Sequence, residues 1–292
     1  MKTLHLDCFS GISGNMFVGM LIQAGVPFEA FQKAMASLQL TGYELLCRSE
    51  NKCGVQAVYY NVLLDSEKEG HHDHHDHDHG HHDHDHVHHD HDHDHDHHHH
   101  DDAASGHLVD TTGHHHHHQH RGLAEITQII EGSPLADDVK AKSLAVFQAL
   151  AEAEAKVHGV PVEAIHFHEV GAIDCILDIV GTIWCLKYLG IEQISASALH
   201  VGSGFVRCAH GIMPVPAPAT AELLAGTPWY STDIKGELVT PTGAALVKVL
   251  AHTEGKPADF VYHTVAYGAG TKDLTTPNVL RGFVGDAAPI HG

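Results

Sequence analysis

The sequence predicts an α/β architecture, with mixed α+β as the near alternative: a mixed sheet with flanking helices, interrupted by a disordered His/Asp-rich insert. Three observations predict it. Short strand-like runs mix with helical apolar patterns along the whole chain. Residues 71–120 hold 26 of the 35 histidines and break every such pattern. The 292 residues are 43% hydrophobic, enough for one large core or two smaller ones. Aromatics are only 6%, so that core is mostly Ala, Val, Ile and Leu.

The elements follow in order. Thr3–Phe9 reads as a short strand, SGISGN as a tight turn, and Met16–Ala24 as a helix closed by Gly25. Pro27–Leu38 reads as a second helix with proline in its first turn. Tyr43–Ser49 and Val55–Leu64 are strand-like, and Asn51–Gly54 between them predicts an antiparallel hairpin. Residues 1–64 thus form a β-α-α-β-β section. Residues 65–121 are the insert; Val87 is the only apolar residue in its first thirty, too little to offset chain entropy, so disorder without metal is expected. Residues 122–292 resume order and are expected to combine with 1–64. Leu123–Glu131 is helical, and Ser133 is a good N-cap for a long helix from Pro134 to about Val157. Ile173–Leu189 reads as a buried helix and Gln193–Val201 as a strand. The prolines at 214, 216 and 218 lead into a helix at Ala219–Ala225, and Thr240 or Thr242 starts another at Pro241–Ala251. Val261–Ala269 and Asn278–Val284 close the pattern as strands.

Charge and composition exclude several classes. The formal net charge is −21, and without residues 71–102 there remain 26 acidic against 16 basic side chains. An acidic body argues against nucleic acid as a partner and against an anionic membrane surface. The most apolar stretch carries Asp174, Asp178 and Lys187, so it reads as a core helix and not a membrane span. MKTLHLDCFSG has no signal core, and Cys8, Cys47, Cys53, Cys175, Cys185 and Cys208 form no C-x-x-C pair. Reduced thiols and a cytoplasmic location are expected.

The insert alternates imidazole with carboxylate. His71, His72, His74, His75, His77, His79, His81, His82, His84, His86 and the run His114, His115, His116, His117, His118 are the candidate metal ligands. Imidazole suits Zn, Cu, Fe and Ni, so the tract predicts many overlapping, labile sites for a borderline divalent ion, nickel foremost. Such a tract is a reservoir. Catalysis has to come from the folded part.

Four motifs there carry chemistry. In D-C-F-S-G-I-S-G-N-M, Asp7 ends a strand and two glycines open a helix, offering backbone N–H groups to an anion; a purely structural turn is the alternative. In H-F-H-E-V-G-A-I-D, His166 and His168 point the same way from an extended segment, and Glu169 and Asp174 complete a metal site or orient the imidazoles; a polar helix lead-in is the bland alternative. Asp178 lies one helical turn beyond Asp174, and two acids on an apolar helix need partners or a metal. G-S-G-F-V-R-C-A-H-G carries Arg207, suited to a carboxylate or phosphate, and His210. G-E-L-V-T-P-T-G puts Thr240, Thr242 and Gly243 at a helix start, an anion site or a simple cap.

Together, DCFSGISGNM, the His-rich insert, HFHEVGAIDCILDIVG, GSGFVRCAHGIMPVPAPAT, ELVTPTGAAL and YGAGTKD resemble the nickel-insertion proteins of the lactate racemase maturation system, the LarC family. The resemblance spans the chain. It implies nickel insertion into pyridinium-3,5-bisthiocarboxylic acid mononucleotide by a CTP-dependent cyclometallation assisted by Mn2+ or Mg2+, giving the nickel-pincer cofactor. Apo lactate racemase would be the recipient, and a homo-oligomer is compatible with the sequence. The matching positions become the candidate site: Asp7, His166, His168, Glu169 and Asp174 as catalytic candidates; Ser10, Gly11, Gly14, Asn15, Arg207, His210, Thr240, Thr242 and Gly243 as cofactor-binding candidates. Family members usually continue into a C-terminal domain associated with the nucleotide chemistry, which residues 1–292 are expected to lack. Competing readings are a nickel storage protein or metallochaperone without chemistry of its own, and an unrelated nucleotide enzyme carrying a His tract.

Overall fold

A computed structural model describes residues 1–65, 121–165, 167, 173–208 and 211–289. The His/Asp tract, His166, His168, Glu169 and His210 lie outside the described residues.

The frame is a seven-stranded mixed sheet. β1 (Lys2–Asp7) lies near its middle, between β4 (Gln193–Ala196), which is parallel to it, and β13 (Val279–Asp286), which is antiparallel. β11 (Thr253–Glu254) extends the sheet beyond β4. On the other side β12 (Val261–Ala269) pairs with β13, then come β3 (Val55–Leu64) and β2 (Tyr43–Lys52) at the edge. Strands from both sides of the insert therefore share one sheet. The β2–β3 hairpin turns through Cys53 and Gly54, with φ of 51° and 87°. Two positive φ values in a two-residue loop match the right-handed twist of the strands, so this hairpin forms as the sequence predicts.

Seven helices are described. α1 (Gly14–Gln23) lies flat on β3 and β12. Two glycines allow that contact: a Cβ at Gly268 would meet the Met16 carbonyl oxygen at 1.8 Å, and one at Gly19 the Val58 carbonyl oxygen at 2.5 Å. α5 (Ile173–Tyr188) packs beside α1, and α2 (Phe28–Ala36) packs on α5. α4 (Asp137–His158) packs on α3 (Leu123–Gly132), α5, α6 (Pro218–Leu223) and α7 (Pro241–Leu250). The main core runs between sheet and helices, with Phe17, Phe31, Tyr60 and Phe147 fully buried. None of the described helices is long and apolar enough to cross a membrane.

Two expectations are corrected. Ser133 does not cap the long helix: its hydroxyl donates to the Ile130 carbonyl at the end of α3, and α4 starts only at Asp137 after Ala136. A serine between two helices can satisfy either end, and here the α3 carbonyl is nearer. The run Gln193–Val201 is two strands. β4 joins the main sheet, and β5 (Leu199–His200) pairs instead with β9 (Trp229–Tyr230). Just past β4 the Ser197 N–H still bonds the Leu6 carbonyl, and the chain then leaves β1 for β9. Small two-stranded sheets absent from the sequence reading follow: β6 (Gly202–Ser203) with β10 (Gly236–Glu237), and β7 (Phe205–Cys208) with β8 (Gly211–Pro214).

Candidate functional site

Three helix N-termini meet at one cavity of about 270 Å³. Its lining includes Ser13, Gly14 and Asn15 from the start of α1, Asp174, Cys175 and Asp178 from the start of α5, and Thr240, Pro241 and Thr242 from the start of α7. Asn61 and Val62 of β3, Glu237 of β10 and Thr271 complete it. Each helix start carries unpaired backbone N–H groups and the positive end of a dipole. The three positive dipole ends face three acidic side chains, Asp174, Asp178 and Glu237, and the described lining contains no Lys, Arg or His.

Local sequence builds this convergence. Gly11, at φ 81°, turns the chain after β1, and a Cβ there would lie 2.0 Å from the Leu238 carbonyl oxygen. The turn is stitched to the strand before α7: the Ile12 N–H bonds the Leu238 carbonyl at 3.0 Å, and the Thr240 N–H returns to the Ile12 carbonyl at 3.1 Å. α5 is tied to α7 by the Cys175 thiol and Thr242 hydroxyl, 3.2 Å apart. Thr240 caps α7, its hydroxyl accepting the Gly243 N–H at 3.1 Å. The Ser13 side chain does not cap α1; its hydroxyl donates to the Asn15 amide oxygen.

The Asp178 carboxylate lies beneath the start of α1. Its Oδ1 is sealed from solvent and has no hydrogen-bond partner. Burial, and after it the nearby Asp174, push this carboxyl well above the usual carboxylate range; the Asn15 N–H works the other way. Burial and Asp174 likewise keep the Cys175 thiol protonated, against the Thr242 contact. A protonated thiol is a poor metal ligand. Among the described residues, no group of three or more His, Cys, Asp or Glu could hold a metal ion.

The structure separates the other sequence-predicted residues. Asn15, Gly14, Asp174, Thr240 and Thr242 line the cavity. Gly11 and Gly243 shape its walls, the latter because a Cβ there would lie 2.2 Å from the Ile12 carbonyl oxygen. Asp7 pairs across the sheet with Arg281, whose Nε–Oδ2 distance is 3.0 Å, and is outside the cavity lining. The Ser10 hydroxyl donates to the Pro277 carbonyl. Arg207 is exposed on the β7–β8 hairpin and does not line the cavity.

A second, more open cleft of about 740 Å³ lies near Asp7, lined by Phe9, His200, Tyr230, Thr232, Lys235 and Asp273 among others. Sequence reading missed His200 and Arg281. His200 is buried, stacked on Tyr230 at 4.8 Å, with Nδ1 2.8 Å from the Phe9 carbonyl and Nε2 2.8 Å from the Thr232 hydroxyl. A carbonyl only accepts, so Nδ1 carries a proton, and in the neutral ring Nε2 accepts from the Thr232 hydroxyl. Arg281 lies over the Phe9 ring, 5.3 Å from its centroid. The segments 235–237 and 271–273 contribute to both clefts: Glu237 and Thr271 to the first, Lys235 and Asp273 to the second.

Comparison with known proteins agrees with the motifs. A family model described as "Nickel insertion protein" matches residues 4–291. A protein of Desulfitobacterium hafniense named pyridinium-3,5-bisthiocarboxylic acid mononucleotide nickel insertion protein is 43% identical over 288 residues, 99% of this chain and 59% of the relative. Proteins with the same name from Geobacillus kaustophilus and a Thermotoga species are 40% and 41% identical, each over 99% of this chain and 61% and 62% of their own length. The chain thus spans about three-fifths of these relatives. No solved structure matches it.

Proposed function

Because the chain belongs to the nickel insertion protein family, we propose that it takes part in inserting nickel into pyridinium-3,5-bisthiocarboxylic acid mononucleotide, with the three-helix cavity as the substrate site. The observation that carries the reading is the meeting of α1, α5 and α7 N-termini over Asp174 and Asp178. The substrate has both signs of charge. Its thiocarboxylates and phosphate suit helix N-termini. Its pyridinium ring and the incoming nickel suit the solvent-reached carboxylates of Asp174 and Glu237. The His/Asp tract raises the nickel concentration available to the chain, and the candidates His166, His168 and Glu169 immediately precede α5 in sequence.

Dependence on CTP with Mn2+ or Mg2+ belongs to this proposal as well. A triphosphate in the first cavity would face three acids, so its charge must be carried by the divalent ion. The second cleft supplies the cation that the first lacks, Lys235, beside Asp233 and Asp273, which suit a divalent ion. Apo lactate racemase is the proposed recipient and the cytoplasm the proposed location.

The test is an insertion assay with nickel, CTP, Mn2+ and the thiocarboxylated mononucleotide, read by activation of apo lactate racemase. Activation by residues 1–292 places the whole apparatus in this chain. Nickel binding without activation assigns the chain to metal supply and favours the storage or metallochaperone reading. His168→Ala separates the two further: an insertase loses maturation with the tract intact, whereas a store does not.

A further inference from the structure

We propose that the Asp178 carboxylate is the base that takes the proton from ring carbon 4 as nickel bonds to the pyridinium ring; this rests on the nickel-insertion reading above. The substrate's chemistry sets the need. Thiocarboxylates at positions 3 and 5 flank carbon 4. A nickel ion held by both sulfurs therefore lies against that carbon and its hydrogen. For nickel to bond to carbon 4, the C–H bond must break. Its electron pair stays on carbon and forms the Ni–C bond, and the hydrogen leaves as a proton. Nothing is oxidised or reduced. The step needs a base within reach and no redox partner.

The described lining offers few bases. Hydroxyls and amides of Ser13, Asn15, Asn61, Thr240, Thr242 and Thr271 do not take protons near neutral pH. The Cys175 thiol stays protonated and is engaged with Thr242. Three carboxylates remain. Asp174 is exposed and Glu237 is half-buried, so solvent reaches both. All three line the cavity, but of them only Asp178 has an oxygen, Oδ1, sealed from solvent with no donor facing it. A carboxylate so placed gains by becoming a neutral acid.

The surroundings favour that outcome from each side. Asp174 on the same helix repels its negative charge, as Cys175 would if ionised. On β3, the Tyr60 phenol is raised well above its ordinary range by burial first and by Asp178 second, so it stays neutral. The Tyr60 hydroxyl also lacks a hydrogen-bond partner, as does that of Thr182, one helical turn beyond Asp178. Buried polar atoms without partners are rare and concentrate where chemistry is done. The Asn15 N–H alone favours the charged form. A base with an elevated proton affinity is better matched to neutral pH than an ordinary carboxylate.

The test supplies the full chain with nickel, CTP, Mn2+ and the mononucleotide deuterated at ring carbon 4. Binding, release of deuterium to solvent and nickel–carbon bond formation are read separately. Wild type should release deuterium in step with metallation, at a rate that rises with pH and levels off above the ordinary carboxylate range. Asp178→Asn keeps the shape and should bind the mononucleotide as wild type does. It should lose about 10²–10⁴-fold in deuterium release, the usual weight of a general base, together with the pH-dependent limb. Asp178→Glu should restore part of the rate with a displaced pH profile, which a merely structural role would not produce. Metallation by Asp178→Asn at the wild-type rate, or a wild-type rate independent of pH, overturns the proposal and leaves the nickel-insertion reading standing. Failure of wild type to bind or metallate the mononucleotide overturns both.

Discussion

Gly14 lies against the side chain of Asp178, so closely that a Cβ added there would sit 2.6 Å from both its Cβ and its Oδ2. The first residue of α1 is thereby matched to an acid in the second turn of α5. The N-terminus of α1, uncapped by Ser13, faces a carboxylate supplied by another helix. One contact sets the distance between two of the three helix starts that form the cavity.

Gly14→Ala should therefore loosen the site and the fold together. The new methyl has nowhere to go, and overpacking of this kind costs about 1–3 kcal/mol. A fall of roughly 2–4 °C in Tm per kcal/mol is expected for a chain of this size. Gly132, at the end of α3, is the control: a Cβ there meets nothing within 4 Å. Gly132→Ala should leave Tm unchanged or raise it. Equal loss from both substitutions, by calorimetry, would show that the Gly14 contact is not special.

Asp178 also predicts a pH dependence of stability. The unfolded carboxyl has a pKa near 3.9, and burial raises it in the folded chain. Between those two values the folded protein holds a proton that the unfolded chain has released. Stability then falls as pH rises through the window. Asp178→Asn carries no such charge. It should be more stable than wild type at pH 8, by about 2–4 °C if the penalty is about 1 kcal/mol, and lose that advantage below about pH 4. Thermal melts of both proteins across pH decide the point; a variant less stable than wild type at pH 8 would contradict it.

What sequence could foretell follows from the range of the interactions. The Asn51–Gly54 turn and the strand-like run Val261–Ala269 are local patterns, and both elements form where local pattern puts them. Asp178 was legible as an acid one turn beyond Asp174 in an apolar helix, which demands an explanation. The Asp7–Arg281 pair was not legible, since 274 residues separate its partners. Antiparallel pairing of β1 with β13 creates it, and no local signal specifies that register. Nor does spacing show that the helices after Ser13 and Thr240 start at the same place; the Ile12–Val239 bridge brings them there.

The Asp7–Arg281 pair gives a separate prediction. Asp7 was a catalytic candidate, yet it is held by the guanidinium and lies outside the first cavity. Its side chain is 22% exposed and that of Arg281 37%, so solvent screens the attraction. The two single alanine substitutions and the double should reveal a coupling of about 0.5–1 kcal/mol, at the upper end for such pairs. Arg281→Lys should recover little of it, because a lysine cannot keep both the fork and the stacking over Phe9. Loss of maturation by Asp7→Ala with no loss by Arg281→Ala would instead return Asp7 to a direct chemical role.

The His/Asp tract predicts a division of labour. Residues 71–120 carry 26 histidines, so their deletion should lower nickel stoichiometry several-fold, measured by equilibrium dialysis with metal analysis. The ligand is neutral imidazole, and protonation removes it. With a reference pKa of about 6.5, most tract histidines are charged below about pH 6 and should release nickel there. Neighbouring bound ions repel one another, which weakens each successive binding, and the interleaved aspartates offset part of that repulsion so that several ions can bind. A weak store is useful only when free nickel is scarce. Turnover of the deletion variant should thus fall at limiting nickel and match wild type at saturating nickel. Loss of turnover even at saturation would mean that the tract acts on the substrate itself.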